Sequence, residues 1–526
     1  MAAERVFSAL YRLLAGILAA VSGGLFAVAL FMTIVFRQEQ ENDYPDIVRL
    51  QPVFVLLLFA TCLIILFILL KKAGLLRDGQ PPKLSRKGVL IPEPWFACSI
   101  LFVLVYCLFL ICVIRGLPTN DARFCIEIAQ TFLQGDYSAV QSGYLTVYPF
   151  QLSFCLFAEW LTRAFGAGNY LPYQLLNVAS ILLSLFFLYE ITWELSQDIR
   201  ACRAAAILGA GGFALFAYST FIYNDIWSLG PLFGAFWMLI RYMERGGLFR
   251  GLAAVFLSAV SFFIKSNGAV ALVAMCGLTA VCALKKLLSG NARLAAQLLL
   301  VTVLLALCPL GMRRAVNMHY ASVSGGEVAK GVPAMAYVAM GMMENDGKFG
   351  WYNGDNVRYL SEAGGDSGKA AEAALAVVRE RASEIGASPK AVVRFYGSKF
   401  LSQWADPTKG SLREQELTGR HQEGMRPVLA ESLTFGRGFY VLQGLMHLSH
   451  LFLHFFAAVG FLMLCFGKRR LQESCALLPL FAFGGILFHE LWEASGRYVL
   501  RYELAFLPFA ALGMIRLFSL LPEKKK

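Results

Sequence analysis

The chain has 526 residues, 58% of them hydrophobic and 16% charged, with a formal net charge of +12 and a mean hydropathy of +0.59. No soluble domain of this size buries so much apolar surface, and several segments run about 18 residues or more almost without charge, long enough to cross roughly 30 Å of hydrocarbon as a helix. The sequence reads as an all-α polytopic membrane protein. Its basic charge is gathered in short loops with no nucleic-acid motif beside it, so it is topology charge and not a nucleic-acid surface.

Residues 9–35 form the first span, too long an apolar run to be a cleaved leader, and residues 53–70 the second. Between them the acid-rich stretch Arg37-Gln-Glu-Gln-Glu-Asn-Asp43 suits the outside, and Lys71, Lys72, Arg77, Lys83, Arg86 and Lys87 place the next loop in the cytoplasm. The third span, 95–114, then carries the chain outward. Further inside signals are Arg200 and Arg203, then Arg241, Arg245 and Arg250, then Lys285, Lys286 and Arg293, then Lys468, Arg469 and Arg470. They keep their side only if residues 148–165, apolar but interrupted by Gln151, Ser153, Glu159 and Arg163, lie at the outer interface or re-enter. The count is about twelve spans, thirteen if that segment crosses, with both termini cytoplasmic. The chain divides into N-terminal spans (1–114), a first outer loop with interfacial helices (115–168), central spans (169–311), an extracytoplasmic module (312–436) and C-terminal spans (437–526). The module is far too long for a connector and carries helical patterns over 367–385 and 389–404. The 12 cysteines are scattered, mostly within apolar runs, and read as small buried hydrophobes.

Asp121 stands just past the third span, at the start of a polar loop, where an ionisable group beside a bundle is a functional candidate. A helical pattern follows it (Phe124, Ile126, Ile128, Ala129, Phe132), then Gly135-Asp136-Tyr-Ser and Ser142-Gly-Tyr144-Leu-Thr-Val-Tyr148-Pro-Phe-Gln151. Other polar and aromatic clusters fall at outer helix ends: Phe221-Ile-Tyr-Asn-Asp225, Phe263-Ile-Lys265-Ser-Asn267, Trp351-Tyr352-Asn353, Ser402-Gln-Trp404-Ala-Asp406 and Trp492-Glu493-Ala-Ser-Gly-Arg497-Tyr-Val-Leu-Arg501.

This arrangement resembles the GT-C fold glycosyltransferases that use polyprenyl-phosphate sugars, in particular the protein O-mannosyltransferase and lipid A aminoarabinose transferase group. The likeness covers most of the chain as a pattern, without a tight motif. It implies a GT-C-like bundle in the plasma membrane with its active site outside, taking a polyprenyl-phosphate-linked sugar donor and an envelope glycan, lipid or protein as acceptor. Asn120-Asp121 replaces the Asp-Glu doublet of the protein O-mannosyltransferases, which makes protein the least supported acceptor. Such transfer needs a carboxylate to take the acceptor's proton, cations for the departing phosphate and aromatic or amide groups for the sugar. Asp121 fills the first role by the resemblance. Lys265, Arg497 and Arg501 are candidates for the second. Trp351, Tyr352, Asn353, Tyr144 and Tyr148 are candidates for the third, with Asp136, Gln151, Asn267 and Trp404 as further contacts.

Each has a plainer reading. Asp121 or Asn120 caps the helix that follows, Asp136 shapes a turn, Lys265 snorkels to headgroups, Arg497 pairs with Glu493 one helical turn away, and Trp351 and Tyr352 anchor the interface. His447, His450 and His454 share a helix face, but no flanking carboxylate completes a metal set. No metal or other cofactor is indicated, although a divalent cation is compatible with the resemblance. The competing classes are a lipid or polysaccharide transporter or flippase, which would show duplication and mid-helix charge, and a polysaccharide polymerase or ligase.

Overall fold

The computed structural model describes residues 2–35, 45–75, 89–91, 93–345, 347–420, 428–434, 436–467 and 472–520. The acid-rich stretch 37–43, the basic residues Arg77, Lys83, Arg86 and Lys87, and Lys468 to Arg470 lie outside them. The described residues are all-α apart from two short hairpins, which pair Met32–Val35 with Asp46–Arg49 and Glu344–Asn345 with Lys348–Phe349.

Among the described residues eight helices are long and apolar enough to cross a membrane, or ten if each of two bent pairs is one span. The sequence count of about twelve also takes in Leu229–Arg245 and Leu248–Ile264. Each has 17 residues, about 25 Å at 1.5 Å per residue, short of the hydrocarbon thickness. The bent pairs are Ile199–Ala210 with Phe213–Thr220 and Gly496–Leu504 with Leu507–Ser519, broken by 48° and 55°. Residues 148–165 form a short 3-10 turn and the helix Leu152–Phe165, whose 14 residues reach only about 21 Å.

Packing follows composition. The Pro52–Lys72 helix is apolar all round and buries only Val55, Phe59 and Leu70, the expectation for a lipid-facing span. Leu171–Ser196 is buried along most of its length and holds its neighbours through polar side chains. Asn177 Nδ2 donates to the carbonyl of Tyr218, and Ser180 Oγ to that of Ile226. These bonds fix the non-helical stretch 221–228 inside the bundle, where an unpaired backbone group would be costly.

The Ala292–Ser324 helix runs through Pro309 and well past residue 312, the start of the module in the sequence reading. Proline removes one backbone bond, and neighbouring packing holds the helix together. Near its far end Tyr320 is buried against Phe132 (centroids 5.1 Å apart) and faces Glu159 Oε2 at 3.3 Å. Beyond it the helices Ala334–Gly341, Asp355–Glu362, Ser367–Gly386 and Pro389–Trp404 pack into a module whose small core contains Ala336, Ala339, Tyr359, Leu360, Ala370 and Ala374. The two helical patterns read at 367–385 and 389–404 both form.

The module is fastened to one end of the bundle by backbone recognition. Lys399 Nζ donates to the carbonyls of Gly341, Glu490 and Trp492, and Ala494 N–H donates to Gly350 O at 2.8 Å. Gly350 has φ +71°, and a Cβ there would run into Gly341 O and the Lys399 side chain; only glycine permits this approach. The loop after Trp404 plugs into the bundle. Asp406 accepts from Thr408 N, Thr408 Oγ1 and Gly410 N, and Tyr218 donates to Lys409 O.

Candidate functional site

The chain turns sharply after the third span. Arg115, at φ 47°, closes the Pro94–Ile114 helix in a left-handed conformation, and Pro118 cannot extend it. The helix Asn120–Leu133 then buries Ala122, Cys125, Ile126, Ala129 and Phe132 along one face, the spacing expected of an interfacial amphipathic helix. Its N-cap is Thr119, which makes no side-chain cap bond. Asp121 is therefore inside the first turn and does not cap it. It is half-buried and lines a cavity of about 770 Å³ between the bundle and the module, within the usual size of a small-molecule site.

Of the sequence-selected residues, Asp121, Tyr148, Gln151, Lys265, Asn267, Trp351, Tyr352 and Arg497 line this one cavity. They come from five separate stretches: the Asn120–Leu133 helix, the turn at 148–151, the break before the Ala269–Leu288 span, the module and the start of the Gly496–Leu504 helix. Five others stand off its wall. Tyr144 lies one layer behind, stacked on Phe124 at 5.3 Å and accepting from Gln151 Nε2 at 3.3 Å. Burial, then the nearby Cys125 and Asp121, hold its hydroxyl far above the ordinary tyrosine pKa. Asp136 is an exposed turn residue that accepts from Ser138 N–H at 2.9 Å. Asn353 accepts from the backbone of Asp355 and donates to its carboxylate. Trp404 is wholly buried, stacked on Phe400 at 5.8 Å. Arg501 is buried 3.5 Å from Ser228 Oγ.

The charges on the wall are organised by an acid behind it, Asp225. Its Oδ2 is 3.0 Å from Lys265 Nζ and 3.9 Å from Arg497 Nε, while Arg497 Nη1 is 2.8 Å from Glu414 Oε1. Burial alone would raise the pKa of Asp225, but Lys265, Arg497 and Arg501 outweigh it and hold the carboxyl below its usual range. Lys265 does not snorkel to headgroups. Its side chain is 11% exposed, and its ammonium sits 4.2 Å from the Tyr223 ring centroid, a cation–π contact. The expected Arg497–Glu493 pair does not form either. The helix starts only at Gly496, so Glu493 precedes it and one-turn spacing no longer brings the two together.

Glu493 is instead a second acid on the cavity wall, accepting from Tyr498 Oη at 3.3 Å. Burial, partly offset by Arg497, pushes its pKa up to about 7. Tyr337 stacks on Trp492 at 4.9 Å, and the amide of Asn356 is buried on the wall with neither polar atom bonded. Buried polar atoms left without partners mark a place where a polar ligand is accommodated. Sequence reasoning missed Glu493 as a site residue, and also Glu414, Tyr337, Asn356 and Arg313. Only Glu493 lay within a motif already singled out; the others sit in ordinary helical patterns with nothing local to mark them.

The histidines read as metal-poor acquire a carboxylate from another helix. His450 Nδ1 and His454 Nε2 approach Glu503 Oε1 at 3.1 and 2.7 Å. All three residues are buried, with ligand atoms within 4.8 Å of one another, so they could hold a metal ion. Lys409 Nζ, 3.1 Å from Glu503 Oε2, already neutralises that acid. His447 turns away, its Nε2 2.9 Å from Ala29 O.

A family profile described as conserved hypothetical integral membrane protein matches residues 15–518. No curated protein sequence matches the chain.

Proposed function

The chain belongs to the conserved hypothetical integral membrane protein family, and we propose that it is a glycosyltransferase moving a sugar from a polyprenyl-phosphate donor to an extracytoplasmic acceptor of the cell envelope. The observation that carries this reading is the shared cavity. A carboxylate, Asp121, faces the same water-accessible space as two buried cations and a set of aromatic and amide groups. Asp121 takes the proton of the acceptor hydroxyl as its oxygen bonds to the anomeric carbon. The bond from that carbon to the phosphate oxygen breaks with inversion, and polyprenyl phosphate leaves. Lys265 and Arg497 face the charge that grows on the leaving phosphate, where fixed cations are most effective. Trp351, Tyr352, Tyr148 and Tyr337 offer ring faces to the sugar. Below about pH 7, where it is protonated, Glu493 donates a hydrogen bond to the phosphate.

The cavity opens away from the cytoplasm in this reading. Lys285 and Lys286 end the Ala269–Leu288 span whose start borders the cavity, and Arg245 ends the Leu229–Arg245 helix that begins beside Asp225. Basic residues at the opposite end are the pattern of a cytoplasmic face, which supports the reading in which both termini are cytoplasmic.

The test is mass spectrometry of envelope glycans from cells lacking the protein, complemented with wild type or Asp121→Asn. The expected result is a species short by one sugar in the deletion, restored by wild type and not by the variant. Full restoration by Asp121→Asn would contradict the reading and favour a transporter or a ligase, neither of which needs this carboxylate.

A further inference from the structure

The buried cluster of His450, His454 and Glu503 has no part in the proposed transfer, and none of the three lines the cavity around Asp121. His450 and His454 lie four residues apart on the Arg437–Phe466 helix, a spacing that puts both on one face. Their ring centroids are 4.3 Å apart. His450 Nδ1 and His454 Nε2 converge on one oxygen of Glu503, at 3.1 and 2.7 Å. The outer nitrogens, His450 Nε2 and His454 Nδ1, are buried without a hydrogen-bond partner, so the two rings share a single acceptor among the described residues.

Two imidazole nitrogens and a carboxylate oxygen are donors that zinc takes at about 2.0–2.2 Å, and a tetrahedral centre with such bonds spaces its ligand atoms about 3.4 Å apart. The three side chains offer ligand atoms within 4.8 Å of one another, so side-chain shifts of less than about 1 Å open room for the ion. No proton has to leave. Each neutral ring carries its N–H on the outer nitrogen and offers the inner lone pair. Lys409 leaves Oε1 to the ion, because its Nζ is engaged with Oε2 at 3.1 Å and with Trp404 O at 2.8 Å. It reaches them from φ 52°, a backbone region that lysine rarely occupies. An outer partner of this kind orients a ligating carboxylate. Its charge lowers the affinity for a cation without removing a ligand.

His450 and Glu503 also form part of the wall of a second cavity, of about 360 Å³, whose lining is mostly apolar and includes Leu66, Leu185, Phe452 and Leu507. That wall gives a path to the cluster and leaves one side of it without a protein ligand. Zinc sites with three protein ligands and an open fourth position have this form, whereas structural sites are closed. We infer that His450, His454 and Glu503 bind a divalent transition-metal ion of the zinc type, with its fourth position open to this cavity. The fourth position takes water or a small ligand. The inference is independent of the transferase reading and stands or falls without it.

The test uses the tag-free full chain in lipid nanodiscs, stripped with a chelator and titrated with Zn²⁺ by calorimetry and with Co²⁺ by visible absorption. Wild type is expected to bind one equivalent of Zn²⁺, and Co²⁺ to give the intense bands of a four-coordinate centre. His454→Gln and Glu503→Gln should each weaken Zn²⁺ binding about tenfold or more, since loss of a ligand costs at least as much as loss of its outer partner. The exposed His319 lies outside the cluster, so His319→Ala should leave binding unchanged. Melting temperatures of the metal-free proteins check that each variant folds. No Zn²⁺ binding by wild type, undiminished binding in both cluster variants, or the weak spectrum of six-coordinate Co²⁺ would each overturn the inference. Loss of binding in His319→Ala would assign the ion to the surface and overturn it as well. The Co²⁺ spectrum requires no substitution, so it decides the matter even where a cluster variant does not fold.

Discussion

Two buried charge clusters lie at opposite ends of the same helices, and only one of them lines the cavity that holds Asp121. Away from the module, Glu194 meets Arg241 at 3.5 Å and Arg245 at 2.6 Å, and Glu190 accepts from the backbone of Leu90. The Trp237 ring lies 4.9 Å from the Arg241 guanidinium. At the module end, Asp225 holds Lys265 and Arg497 beside a cavity of about 770 Å³, whereas none of Glu190, Glu194, Arg241 and Arg245 lines it. The acids and bases are of the same kinds and are similarly buried. What differs is that the second cluster turns its cations toward space that a ligand can fill. Buried ion pairs alone therefore do not mark a site; ion pairs bordering a cavity with unbonded polar atoms do.

The largest expected effect separates chemistry from structure. Asp121→Asn keeps the shape of the side chain and removes its ability to take a proton. Sugar transfer should fall by about 10²–10⁴-fold while the melting temperature holds, as read by a transfer assay on purified protein. Next come the two clusters themselves. Asp225→Asn and Glu194→Gln should each cost about 3–5 kcal/mol in denaturation, because each leaves buried cations uncompensated. Only Asp225→Asn should also lower transfer per folded molecule; equal losses of transfer would erase the functional distinction between the two ends.

A smaller effect concerns pH. Glu493 has its pKa raised to about 7, so it is neutral below that pH and charged above it. Binding of a lipid phosphate should weaken as pH rises through about 7, because the new charge repels the ligand, and Glu493→Gln should flatten the profile. An unchanged profile in that variant would take Glu493 out of the account. The smallest effect is at Asp136. Its exposed turn position predicts that Asp136→Asn changes stability by no more than about 0.5 kcal/mol and leaves transfer unaltered.

The sequence made the membrane class and most helices legible, because both depend on local runs of apolar residues. The helices Ser367–Gly386 and Pro389–Trp404 follow from patterns of the same local kind. The span count was less legible, because 17-residue helices in the centre of a bundle need not reach across a bilayer alone. Site residues close to a chain break, such as Asp121, Lys265 and Arg497, were visible because a polar residue beside an apolar run stands out. Pairings across the fold were not. The partner of Arg497 is Glu414, 83 positions away, and the Arg497–Glu493 expectation failed because a helix start lies between them. The carboxylate of the histidine cluster, Glu503, likewise comes from a helix 49 positions from His454. Arg313 gave no local signal, since an arginine near a span end is ordinarily topology charge.

The most direct measurement is a cryo-electron microscopy map of the full chain in nanodiscs loaded with farnesyl phosphate. The account predicts phosphate density on the cavity wall beside Lys265 and Arg497, facing Asp121. Phosphate density anywhere else on the protein, with the cavity filled only by solvent, would contradict it.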